Sequence, residues 1–185
     1  MRILLFVAPL MAAPAAAQQL SPAVIVVVDL DRVVAESAAG KAAVSELQTR
    51  ANALRARAQT LGSQLQADAQ AIQQGQASKT LQGPQLEQRV KALQEKESAA
   101  RAEIGKGEEE LARAQQYVLQ QINTAVQPII SQIMRERGAA IVLAQQATIQ
   151  HSASLNITNE VLARLNAALP KVSTTPPAAP PAPAR

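Results

Sequence analysis

Two stretches of this sequence repeat apolar residues at alternating spacings of three and four. From Val44 the positions run Val44, Leu47, Ala51, Leu54, Ala58, Leu61, Leu65, Asp68 and Ile72. The second set runs Leu86, Val90, Leu93, Glu97, Ala100, Ile104, Gly107, Leu111, Ala114 and Val118. That alternation is a heptad seam, with Asp68, Glu97 and Gly107 as its weak members. It predicts one helix over 31–77 and a second over 84–135, each on the order of 70 Å long at 1.5 Å per residue. Neither arm is expected to be broken by proline. Between them lies "IQQGQASKTLQGP" (72–84). Gly75 and Gly83 suit a helix end and the turn after it, and Pro84 suits the first turn of the next helix. Two arrangements fit. A parallel oligomeric coiled coil would carry these residues as a polar stutter. A hairpin with its tip near 75–84 would pack the seams together, Ile72 near Leu86 and Val44 near Ala114. The matched seam lengths favour the hairpin.

The two ends have another pattern. Ala23 to Val28 is a short β-branched run, the mark of a strand buried on both faces. Beyond the second arm Gly138 suits a helix end, Ala139–Ala144 a strand, and Ala147–His151 another. "NITNEVLARLNAAL" then reads as a helix with Thr158 as N-cap and Val161, Leu162, Leu165 and Leu169 on one face. A hairpin over 31–137 would bring these ends together as one small β body, residues 18–30 with 138–170. The fold class is therefore mainly α with a small β body. Three strands and one helix are too few to close a core, so the body is expected to oligomerise, with Val24, Val26, Val28, Ile141 and Leu143 at or near the subunit contacts. Residues 171–185, with "STTPPAAPPAPAR" from Ser173, are expected to form a disordered Pro/Ala-rich tail.

Composition narrows the chemistry. The chain has one Phe, one Tyr and no Trp, which is poor material for a large core and compatible with exposed helix. Alanine buries little area, so the seams should hold weakly and the arms should flex. Gly105 and Gly107, each costing about 1 kcal/mol of helix stability relative to Ala, are candidate hinge residues. The absence of cysteine excludes disulfides, thiolate ligands and a Cys nucleophile. The start "MRILLFVAPLMAAPAAAQQ" has one Arg, a short apolar run and small residues at Ala15 and Ala17. It reads as a signal peptide over 1–17, which places the mature chain outside the cytoplasm. His151 is the only histidine and has no metal-binding company. Asp29 and Asp31 are best explained as helix-start residues, and "NIT" at Asn156 as a chance sequon. No catalytic residues, cofactor site or metal site are identified, and the chain is not read as an enzyme. A net charge of +4 is too small a surplus to mark a nucleic-acid binder.

The motifs "VIVVVDLDRVVAES" and "AAIVLAQQATIQHSASLNITNEVLARLN", separated by paired helical arms, resemble the OmpH/Skp family of periplasmic chaperones. The resemblance spans the mature chain except the tail. It implies a trimeric, jellyfish-like architecture, with a β-sheet oligomerisation domain and helical tentacles around a cavity. It implies an ATP-independent holdase in the periplasm that takes unfolded outer-membrane β-barrel proteins as clients and requires no cofactor. Family tentacles are often strongly basic and are linked to lipopolysaccharide or acidic clients. Here Lys79, Arg89 and Lys91 near the tip are the candidates for such contacts, with solvated helix charge as the competing explanation. The second arm is near charge balance through Glu108, Glu109 and Glu110. The other readings are a structural or adaptor hairpin of the cell envelope, and a nucleic-acid-binding coiled coil, which export disfavours.

Overall fold

The computed structural model describes residues 23–177. The expected signal peptide and the last eight residues of the expected tail lie outside them. In chain order come strand β1 (Val24–Val28), helices α1 (Leu30–Glu36), α2 (Ala38–Ala77) and α3 (Pro84–Arg137), strand β2 (Ala139–Ala144), two 3-10 turns at Gln145–Ala147 and Ala153–Leu155, and helix α4 (Thr158–Ala168).

The β-branched run forms β1 because it is closed in on both faces. Val26, Val27 and Val28 are all buried. β1 pairs with β2 in parallel, from Val24 opposite Ala139 to Val28 opposite Ala144, with an irregularity between Val24 and Ile25. On its other side β1 meets the chain before α4. Asn156 bridges Val27, and the Ile157 amide donates to the Val27 carbonyl at 2.9 Å. Parallel strands need a long crossover, and here the entire helical pair is that crossover.

α2 and α3 pack on each other as an antiparallel hairpin. Arg57 reaches Glu103 at 2.7 Å and Lys96 reaches Asp68 at 2.6 Å. The Leu54 side chain lies over Gly107, where an added Cβ would come within 2.6 Å of it. The seam positions from Ala51 to Ile72 are half-buried, as the heptad pattern requires, and so are most of their partners on α3. Val44 is the exception at 64 % exposed, so its expected pairing with Ala114 fails. Leu47, one turn on, is buried against the core instead. Ile72 lies in the tip cleft with Leu81 and Leu93.

Several boundaries differ from the pattern reading. The first arm is two helices, because the Ser37 hydroxyl accepts from the Gly40 amide at 3.0 Å and donates to the Val34 carbonyl at 3.1 Å. This side chain caps a new helix and displaces the turn that would have continued the old one. Gly40 is required there, since a Cβ would stand 1.8 Å from the Val34 carbonyl oxygen. α3 runs two residues past the expected end, and Pro128, overlooked in the expectation of unbroken arms, lies inside it. Gly75 lies within α2 and is buried under Leu81, and its carbonyl accepts the Thr80 and Leu81 amides at 2.9 Å each. Gly83, at φ 53°, makes the turn before Pro84, and Gly138, at φ 62°, ends α3.

The expected strand at 147–151 is absent. The Thr148 amide and hydroxyl both bond back to the Gln145 carbonyl, at 3.0 and 2.8 Å, and that local turn competes with pairing. Thr158 is the first residue of α4 and not its cap. Its amide donates to the Asn156 side-chain oxygen, and its hydroxyl accepts from the Asp29 amide, both at 2.9 Å. The expected disorder from residue 171 also fails over 171–177, where Thr174 is 4 % exposed. Its Ser and Thr residues find partners on both arms, and only the residues after them are Pro/Ala-rich.

The core runs from the sheet into the hairpin root. It joins Val26, Val28 and Val33 to Leu47, Val118, Ile122, Val126, Ile129 and Ile133, and to Ile157, Val161 and Leu165 of the α4 region. Beyond Ala114 the buried arm residues are only Ala100 and Gly75. Gly40→Ala is expected to destabilise the chain by about 1–3 kcal/mol, the range for overpacking. A Cβ added at Gly62 would meet nothing within 4 Å, so Gly62→Ala should stabilise α2 by up to about 1 kcal/mol. Thermal unfolding followed by circular dichroism should move in opposite directions for the two variants.

Candidate functional site

Two surfaces remain once the core is accounted for. The first is the outer side of β2. Its sequence, "AAIVLA", has no charge, and β1 occupies only one of its edges. No second strand lies along the other edge among the described residues. Natural sheets usually blunt such an edge with charge, proline or a covering element. Around it Val24 is 43 % and Ile141 is 44 % exposed, and Ile149 projects fully from the following turn. The five residues expected at subunit contacts thus divide. Val24 and Ile141 are at the surface and Leu143 is half-buried, while Val26 and Val28 are sealed in the chain's own core.

The second surface is the hairpin. Near its root, Val44, Leu47, Ala51, Val118 and Leu119 line a mostly apolar groove of about 470 Å³, with Asp31 and Gln48 at its edge. Val44, expected in the seam, and Leu119, next to the seam residue Val118, are both exposed here, and this groove was not found from the sequence. Near the tip a cleft of about 460 Å³ is lined by Asp68, Ile72, Leu81, Arg89, Leu93 and Lys96. Of the three tip cations, Arg89 lines this cleft, Lys79 occupies the turn at φ 57°, and Lys91 is exposed on α3. Among the described residues none of the three has a carboxylate within 4.0 Å.

The two hinge candidates have different surroundings. α3 is continuous through both. Gly107 is the seat for Leu54, whereas Gly105 has open space around it.

Charge is arranged to join elements. Arg164 of α4 binds Glu136 of α3 and Glu160 of its own helix, and Arg137 binds Glu160 at 2.6 Å. The hydrogen bond from Arg164 holds the Glu136 carboxyl below the usual carboxylate range. Arg57 does the same to Glu103 across the arms.

The remaining polar candidates have local duties. Asp29 caps α1 by accepting from the Arg32 amide at 2.9 Å, and Asp31 accepts from Gln146 at 2.6 Å. His151 sits 3.4 Å from both Thr148 and Asn156 in the turn. The Asn156 amide nitrogen reaches Gln145 at 3.2 Å, which occupies the sequon side chain. No group of His, Asp and Glu able to hold a metal ion occurs among the described residues. Nor is any helix among them long and apolar enough to cross a membrane.

A protein-family model described as outer membrane protein (OmpH-like) matches residues 24–165. Among solved structures, the fold is similar to a proposed outer membrane chaperone (OmpH-like) from Caulobacter crescentus. The TM-score is 0.74 at 21 % identity, covering 84 % of this chain and 90 % of that one. The sequence has no significant match among curated proteins.

The Glu136–Arg164 link yields a pH test. A carboxyl with a lowered folded-state pKa contributes stability above its unfolded value of about 4.3, and loses it as pH falls through the folded value. Glu136→Gln should therefore melt below the parent protein near neutral pH. The gap should narrow as pH falls below that unfolded value and close once the lowered folded value is passed. A gap that persists in acid would show that the carboxylate charge is not its source.

Proposed function

This chain belongs to the OmpH-like outer membrane protein family, and from that premise we propose that it is an ATP-independent holdase of the periplasm. It binds unfolded outer-membrane β-barrel proteins between helical arms carried on a homotrimeric body. The observation that carries this reading is the pairing of an open, uncharged β2 edge with arms that project well past their own core. At 1.5 Å per residue, α2 alone extends about 60 Å.

The body supplies the association. The free edge of β2 in one copy can pair head-to-tail with a different extended segment of the next, covering Ile141 and Leu143, and three such contacts close a ring. The arms supply the client surface. An unfolded barrel protein exposes alternating apolar side chains and unpaired backbone groups. Tyr117 is the single tyrosine and the only aromatic residue outside the proposed signal segment, so no aromatic pocket anchors one segment. Contacts are instead spread over Leu, Ala and Gln faces and the root groove, with Gly105 and Gly107 easing adjustment of α3. Lys79, Arg89 and Lys91 are proposed contacts for acidic clients or lipopolysaccharide. The first 17 residues act as an export signal. No reaction is catalysed and no cofactor or nucleic acid is bound.

The trimer is tested by mass measurement in solution. The parent protein should be trimeric at micromolar concentration, and a folded monomer there would end the reading. Ile141→Lys should give a folded monomer, because Ile141 is exposed in the single chain. Val26→Asp should unfold the body, since a buried unpaired charge costs several kcal/mol.

The holdase activity is tested by diluting a denatured β-barrel protein into buffer without ATP. The purified chain should keep it soluble. Single substitutions along the arms should each change client affinity by less than about 1 kcal/mol, below the hot-spot range. One arm residue that abolishes binding while its neighbours do nothing would point to an adaptor that grips a folded partner.

A further inference from the structure

After α4, the chain leaves the body and climbs the hairpin root. Leu169 and Val172 pack against the core. Ser173 then meets α3 through both of its backbone groups. Its amide donates to the Gln121 side-chain oxygen at 3.1 Å, and its carbonyl accepts from the Gln121 side-chain nitrogen at 2.8 Å. The next residue meets α2. The Thr174 hydroxyl donates to Glu46 and accepts from Arg50 at 2.8 Å, and the Thr174 carbonyl accepts from Arg50 at 3.1 Å. Ser173 and Thr175 brace the crossing, with the Ser173 hydroxyl donating to the Thr175 carbonyl at 3.1 Å and accepting from its amide at 3.2 Å. Three consecutive residues therefore join both arms at one level.

That level coincides with a change in packing. Below it lie Ile122, Val126, Ile129 and Ile133, all buried. Leu47 at that level and Val118 one turn above Gln121 are the last large buried side chains, and the seam continues as alanine and half-buried leucine. Gln121 stands 16 residues before the end of α3, or about 24 Å along the helix. The crossing also lies past residue 165, where the family match ends. Thr174 is almost wholly buried although it belongs to no helix or strand.

We infer that residues 173–175 are an intramolecular clamp that ties the two arms together at Arg50 and Gln121 and sets the point above which the arms move. The hydrogen bonds hold α2 to α3 where the apolar core stops doing so. Without them, opening of the arm pair would extend down to the core at Ile122 and Val126. With them, motion is confined to the alanine-rich part. The clamp does not depend on what the arms bind.

Amide hydrogen exchange on the full-length protein tests this, because exchange reports local opening segment by segment. Three variants are compared with the parent. Deleting 178–185 leaves the clamp intact and should change nothing. Deleting 173–185 should raise exchange at least about tenfold over residues 43–57 and 107–122, with β1 and α4 unchanged. Thr174→Val combined with Gln121→Ala, in the full-length chain, should reproduce that pattern in part. Unaltered arm exchange in the double variant would overturn the clamp, even if the truncated chain failed to fold. Equal acceleration at β1 and α4 would also overturn it, showing the segment to be part of the body's general stability.

Discussion

The parallel pairing of β1 with β2 is the constraint on which the rest of this structure depends. It joins the strands that stand on either side of the helical hairpin, and it can form only if the segment between them returns to its origin. A flexible segment of that length would have to be closed against its own entropy. Here two long helices and a tight tip perform the return, so closure of the sheet and formation of the hairpin are one event. The site of closure is reinforced from a third direction. The Thr158 hydroxyl holds the Asp29 amide, Ile157 bonds to Val27, and the Asn166 side chain accepts from the Ala38 amide at 2.8 Å. These bonds place β1, the start of α2 and the α4 region around the same few residues, and the valines of β1 are sealed between them.

Stability is graded along the arms as a consequence. Isoleucine and valine fill the root, where the sheet and α4 supply atoms on the other side. Farther out each helix has only its partner to pack against, and the seam narrows to alanine and leucine. Burial at about 25 cal/mol per Å² then contributes little per layer. The cross-arm pairs Arg57–Glu103 and Lys96–Asp68 are exposed, and solvent screening leaves such pairs little net stabilisation. They fix the register of the hairpin more than they hold it closed. Local opening should therefore begin toward the tip and cease where the large apolar residues begin.

The arms were legible because a seam with one buried stripe repeats the same demand every three or four residues, and a single weak member such as Asp68 does not erase it. The strands were legible where both faces are covered, as in Val26–Val28. Features decided by one side chain bonding to nearby backbone were not. Ser37 splits the first arm and Thr148 folds back on Gln145, yet Ser and Thr at other positions, such as Thr49 and Thr60, bond within an unbroken helix. Thr158 was expected to cap α4, but Ile157 holds the cap position without a side-chain cap bond, the Asn156 side chain takes the Thr158 amide, and the Thr158 hydroxyl meets Asp29, 129 positions away. The apolar strands raised a different ambiguity. Val24 and Val26 are chemically alike, and only the fold shows that one faces outward while the other faces this chain's own core. The same limit applies to Ser173–Thr175, whose partners Glu46 and Gln121 carry no sequence signature.

What this chain leaves exposed follows from the same economy. With so few aromatics and so much alanine, it can complete one dense core, and it places that core where sheet, α4 and hairpin root converge. Two apolar features remain uncovered. One is strand-like, the β2 edge, whose unpaired backbone groups are directional and are satisfied best by another strand in register. The other is helical, the groove of Val44, Leu47, Val118 and Leu119, which offers apolar area with few directional groups. A directional edge favours one defined partner, and a non-directional groove favours many. On the proposed function, the separation of these surfaces, one on the body and one on the arms, would let a single small chain combine a specific contact with a permissive one without either competing for the other's ligand.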